Sequence, residues 1–115
     1  MEHTEASCRT YQEAIELIGK RWTGVVIMVL LTGPKRFNEI AERLGGASDR
    51  MLSERLKELE ATGVLERCVY PETPVRIAYQ LTEKGKALAP VVDAIRRWGH
   101  EWHTPNGPSA ACAAA

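Results

Sequence analysis

The sequence has no excess charge: 15 basic residues balance 15 acidic ones, and the formal net charge is zero. That argues against a generic polyanion binder, although a neutral chain can still carry a basic face. The three cysteines, Cys8, Cys68 and Cys112, follow no metal-ligand spacing and no even-numbered disulfide framework. A reducing cytoplasm is the expected compartment. No secretory signal is expected, because the first residues, MEHTEASCRTYQE, are polar. The longest apolar run, residues 25–31, is far too short to span a bilayer. There is no internal repeat, nucleophile–base pair, paired-carboxylate constellation or glycine-rich phosphate loop, so neither an enzyme nor a cofactor is expected. The pair Gly45-Gly46 is accounted for as a turn. His100 and His103 could share a helix face but lack further ligands, so no metal is expected.

What is present is an ordinary globular composition, 44% hydrophobic and 26% charged over 115 residues. One small domain of this size buries only a modest core, and a second copy would add burial. Helical spacing of Tyr11, Ala14, Ile15 and Ile18 predicts a first helix over residues 8–19. Residues 22–31 predict a second, nearly all apolar after Gly24 and therefore central and buried, ended by Gly33-Pro34. Residues 36–44 predict a third, with Phe37, Ile40, Ala41 and Leu44 on one stripe. After the turn at residues 45–47, Ser48 is a good N-cap for a fourth helix, which Thr62-Gly63 ends. Its Leu52, Leu56 and Leu59 must point to the core. Residues 65–70 and 76–81 alternate as strands, with Pro71-Glu72-Thr73-Pro74 as a rigid tip. Thr82 caps a last helical pattern reaching Trp102, which Pro90 should kink or divide. The breaker-rich residues 104–115 are expected to be a disordered tail.

Helix, turn, helix and hairpin, in that order, make a scaffold that presents a helix and a loop to a DNA duplex. With its leucines buried, the fourth helix turns Ser48, Asp49, Arg50, Ser53, Glu54, Arg55 and Lys57 outward. Unpaired amides and partial positive charge at its start suit a phosphate or a base edge. Arg50 can bond a guanine edge bidentately, and Ser53 can meet a base or a phosphate. Ser48, Arg50 and Ser53, with Asp49 beside them, form the expected base-reading set. Arg55 and Lys57 are expected at the DNA backbone, Lys35, Arg36 and Asn38 at flanking phosphates, and Arg76 at a minor groove or an adjacent phosphate. The bland alternative is a solvated face opposite a leucine stripe.

These residues resemble the HxlR-type winged helix-turn-helix transcriptional regulators, relatives of the MarR-type proteins. The resemblance rests on Cys8 and on residues 14–40, 48–67 and 69–88, and covers roughly residues 8–100. Its most specific pieces are Gly-Lys-Arg-Trp, Gly-Pro-Lys-Arg-Phe and Tyr-Pro-Glu-Thr-Pro in sequence. It implies an α+β, mainly α fold over residues 8–103: a winged helix-turn-helix with a two-stranded β-wing and N- and C-terminal dimerisation helices. It further implies a cytoplasmic homodimer on double-stranded DNA with a palindromic operator, expected to act as a repressor. The recognition helix would be residues 48–62 and the wing residues 65–81. Tyr11, Ile15, Ile18, Val92, Ile95, Trp98 and Trp102 would lie at or near the dimer interface; simple core packing fits the same apolar pattern. In some members an N-terminal cysteine senses electrophiles, quinones or disulfide stress, which makes Cys8, with the cation Arg9 beside it, the redox-sensing candidate and a small electrophile or oxidant the expected effector. A winged-helix protein-interaction module without DNA binding stays open, supported by net neutrality and by Asp49 and Glu54 on the supposed DNA face.

Overall fold

A computed structural model describes residues 5–103. The order is α1 (Glu5–Ile18), α2 (Thr23–Leu30), α3 (Phe37–Leu44), α4 (Asp49–Ala61), β1 (Leu65–Tyr70), β2 (Arg76–Leu81), α5 (Glu83–Lys86) and α6 (Ala89–Trp102). Cys112 and the expected tail lie outside the described residues.

The core forms around α2, which buries Val26, Ile27, Val29 and Leu30 and even the hydroxyl-bearing Thr23. α3 adds Ile40 and Leu44; α4 adds Leu52, Leu56 and Leu59. Val64, Leu65, Leu81 and Val92 close the same cluster. α2, α3 and α4 therefore turn their apolar residues onto one core, and apolar burial at about 25 cal/mol per Å² supplies the main stabilisation. Between α3 and α4 the chain turns at Gly45, whose φ of 69° lies in the left-handed region that glycine enters without strain. Ser48 then caps α4: its Oγ accepts the Met51 N–H at 3.1 Å.

β1 and β2 pair antiparallel from Leu65↔Leu81 to Tyr70↔Arg76. A third piece of chain joins them: the Lys35 N–H donates to the Tyr79 carbonyl at 3.0 Å, and the Tyr79 N–H donates back to Lys35 at 2.8 Å. The loop before α3 is thus stitched to the wing. α5 packs against β2, and an ideal Cβ on Gly85 would stand 2.1 Å from the carbonyl oxygen of Val64, just before β1, so only glycine fits.

Pro90 divides the C-terminal pattern. α5 ends at Lys86 and α6 restarts at Ala89, so Pro90 sits in the first turn of α6, where its missing N–H leaves no helical bond unmade. α1 is already helical at Glu5, a turn before its spacing predicts, and Glu5 stands 3.8 Å from Arg9 across one helical turn. None of its residues is buried, and Tyr11 is 68% exposed. Leu17, outside the predicted stripe, is the α1 side chain that packs on the core. Val92, expected at or near the dimer interface, is 4% exposed and packs in the protomer core, where α6 meets α2.

Candidate nucleic-acid interface

At the start of α4 the leucines face inward and leave Ser48, Asp49 and Arg50 exposed, with Ser53 half-buried. The Arg50 side chain is 90% exposed and holds a surface ion pair with Glu54 at 3.4 Å. Ser48, Arg50, Met51 and Glu54 line a shallow hollow there. Lys57 is exposed one turn further along.

Arg55, expected at the DNA backbone, is engaged within the protomer. Its side chain is only 14% exposed. Nε donates to the Arg21 carbonyl at 3.0 Å, and a terminal nitrogen donates to Glu58. Glu58 also accepts from the Lys20 ammonium. That bond, and then the Arg55 charge, hold the Glu58 carboxyl below its usual range against the opposing effect of burial. Arg55 is thus spent on fixing the linker before α2 to α4. Sequence reasoning missed this cluster. The Arg55/Glu58 spacing on one helix was legible, but nothing local connects Glu58 to Lys20, which is distant along the chain.

The linker is fixed at a second point. Trp22 adopts φ 75°, a left-handed conformation that costs a side-chain-bearing residue roughly 1–2 kcal/mol. Its ring packs against the core and against Gly46 of the turn, where an added Cβ would meet it at 3.1 Å. The Arg21 guanidinium lies 5.4 Å from the ring centroid. Trp22 is therefore a packing residue of the helix-turn-helix.

At the start of α3, Arg36 and Asn38 are exposed. The Arg36 backbone N–H donates to Glu39 at 2.8 Å, which satisfies an open helix amide. Lys35 is half-buried, and its ammonium donates to the Gly33 carbonyl at 3.2 Å. Arg76 reaches this region from β2: Arg36, Asn38, Glu39 and Arg76 line one hollow. Three of the expected phosphate-contacting residues are thus brought together from two elements. Arg76 lies 4.1 Å from the Tyr70 ring centroid and 3.4 Å from Glu72.

Cys8 is exposed on α1, and Cys68 is half-buried on β1. His100 is exposed, and His103 stacks obliquely near Trp98 at 4.8 Å. Among the described residues no group of three His, Cys, Asp or Glu could hold a metal ion, and no helix is long and apolar enough to cross a membrane.

Comparison with known proteins agrees with this architecture. A family model described as HxlR-like helix-turn-helix matches residues 17–107. The uncharacterized HTH-type transcriptional regulator YvaP of Bacillus subtilis is 50% identical over 99 residues, covering 86% of this chain and 92% of YvaP. The HTH-type transcriptional regulator YodB of the same organism is 49% identical over 98 residues, covering 85% of this chain and 88% of YodB. Among solved structures, reduced B. subtilis YodB matches with a TM-score of 0.75 at 45% identity, over 91% of this chain and 99% of that one. Quinone-bound YodB matches with a TM-score of 0.69 at 44% identity, over 81% and 97%. The redox regulator HypR in its oxidized form matches with a TM-score of 0.79 at 35% identity, over 83% and 98%.

Proposed function

The chain belongs to the HxlR-like helix-turn-helix family, and from that premise we propose that it works as a cytoplasmic homodimer with one α4 in each half-site of a palindromic operator. It is a DNA-binding transcriptional regulator. The observation that carries the assignment of α4 is its division into two sides: Leu52, Leu56 and Leu59 buried, and Arg50 90% exposed at the capped, electropositive end. In this reading Ser48, Asp49, Arg50 and Ser53 meet the bases, and Lys57, Arg36, Asn38 and Arg76 meet phosphates. Lys35 serves the backbone stitch to β2 as well as any phosphate. Two-fold symmetry would set the two recognition helices one DNA turn, roughly 34 Å, apart. Repression follows if the operator overlaps a promoter.

Arg50→Glu is expected to weaken specific operator binding at least tenfold in a gel-shift assay with genomic fragments, with the thermal midpoint unchanged. Undiminished binding by that variant would remove α4 from the reading role. Wild type that retains no fragment even at low salt would favour a protein-interaction module instead.

The second part of the proposal concerns the signal. Cys8 is exposed on α1, and the similar YodB has been solved reduced, diamide-treated and quinone-bound. An oxidant or electrophile that modifies Cys8 would shift the dimer between two arrangements with different operator affinity. Cys8→Ser should abolish the response of DNA binding to diamide or a quinone. If wild type gives no response, the sensor role fails and the DNA-binding role stands.

A further inference from the structure

The wing arginine is held by two neighbours of opposite consequence. The Arg76 guanidinium carbon lies 4.1 Å from the Tyr70 ring centroid, at the cross-strand pair that ends the β-ladder. One terminal nitrogen stands 3.4 Å from Glu72 in the tip. Nε is buried and has no hydrogen-bond partner among the described residues. The side chain is 37% exposed, and Glu72 is 56% exposed. Arg36 and Asn38 face the same hollow. Glu39 lines it too, with its carboxylate already accepting the Arg36 N–H.

We propose that Tyr70 is a positioning residue for DNA binding: its ring holds Arg76 at the Arg36 hollow, and Glu72 pairs with the guanidinium nitrogen that a backbone phosphate takes in the complex. This rests on the DNA-binding reading and adds how the wing contact is preset. A guanidinium over an aromatic face is attracted by the ring quadrupole and gives up little of its hydrogen-bonding edge. The terminal nitrogens therefore stay available while the ring restricts where they sit. A free arginine of this length would lose several rotors on meeting a phosphate; a stacked one has lost them already. Glu72 is an exposed acceptor on a strand tip, a pairing worth little by itself. A phosphate diester carries the same charge and planar acceptor edge and belongs to a far denser anionic lattice, so exchanging one for the other favours the DNA.

The test uses the full chain and a fluorescein-labelled mixed-sequence 30-base-pair duplex, read by anisotropy from 25 to 200 mM NaCl. Arg76→Ala should weaken binding about threefold to tenfold and make the log–log salt slope shallower by about one. Tyr70→Leu should reproduce both changes although it removes no charge, and Tyr70→Phe should restore both to within about twofold. Glu72→Gln should tighten binding about two- to fivefold, and that gain should vanish when combined with Arg76→Ala. Thermal melts accompany every variant; if Tyr70→Leu does not fold, the Glu72/Arg76 double-mutant cycle and Tyr70→Phe decide. Two results overturn the proposal: Tyr70→Leu with wild-type affinity and slope, or Glu72→Gln equally tightening with and without Arg76. Wild type that does not bind the duplex at 25 mM NaCl brings down the DNA-binding reading, and this proposal with it. Wild type that binds while Tyr70→Leu changes nothing brings down this proposal alone.

Discussion

Arg50 and Arg55 lie on the same helix and meet opposite fates. Arg50 is open to solvent, with a surface pairing to Glu54. Arg55 is drawn in because a carboxylate, Glu58, and a carbonyl, that of Arg21, both lie within its reach. An arginine serves two such acceptors well because its donors form a rigid fork. Spacing on a helix tells which side chains are neighbours along it but not which foreign carbonyl approaches, and this is why sequence reasoning assigned both arginines to DNA. Glu58 makes the difference measurable. Its carboxyl titrates below the ordinary value of 4.5 because Lys20, and after it Arg55, favour the ionised form. A carboxyl with a lowered folded pKa stabilises fully above its unfolded value, and that contribution disappears as pH falls through the folded one. Urea unfolding of wild type should therefore lose stability below about pH 4.5. Glu58→Gln should be about 1 kcal/mol less stable at pH 7, with the difference shrinking toward pH 3. A constant difference across that range would show that the network does not act through the Glu58 charge.

At the scale of elements, the strand bounds, the division near Pro90 and the cap at Ser48 all follow from local chemistry. A β-strand declares itself by alternation, and a proline removes a donor wherever it stands. The Ser48 cap has a measurable weight: Ser48→Ala should lower stability by about 1 kcal/mol, because the Met51 N–H loses its acceptor. Since Ser48 also belongs to the proposed reading set, Ser48→Asp is the informative companion. It should restore stability while weakening DNA binding by placing a carboxylate near the phosphates, and the pair of thermal melts and binding curves separates capping from contact. Less legible were features that depend on distant chain. The bridge between Lys35 and Tyr79 pairs residues far apart in sequence, and Lys35 stands in no pattern that signals pairing. Trp22 in a left-handed conformation is another, because nothing in Gly-Lys-Arg-Trp announces that the ring must fold over Gly46. For α1 the spacing gave the helix but not its environment: an apolar stripe of Tyr11, Ile15 and Ile18 reads alike whether it meets the protomer's own core or another surface.

The whole molecule turns on where that other surface would be. The core gathers around α2, while Tyr11 on α1 and Ile95, Trp98 and Trp102 on α6 remain exposed by 68, 56, 58 and 42%. Exposed aromatics in such number on the two terminal helices are costly in water, and a second copy packed on them would remove that cost. Val92 provides the internal control, since it lies on the same helix but inside the protomer core. Val92→Ala should therefore lower stability by about 2 kcal/mol and leave the oligomeric state as it is. Trp98→Glu should do the reverse: a monomer by light scattering at micromolar concentration, with a thermal midpoint that no longer rises with protein concentration. Binding should suffer in a characteristic way. A dimer engages the second half-site at high effective concentration, so the monomer should lose roughly 10²–10⁴-fold on a two-half-site operator and little on a single half-site. A Trp98→Glu protein that stays dimeric would place the contact between copies elsewhere. One that becomes monomeric yet binds the full operator as wild type does would break the link between symmetry and recognition.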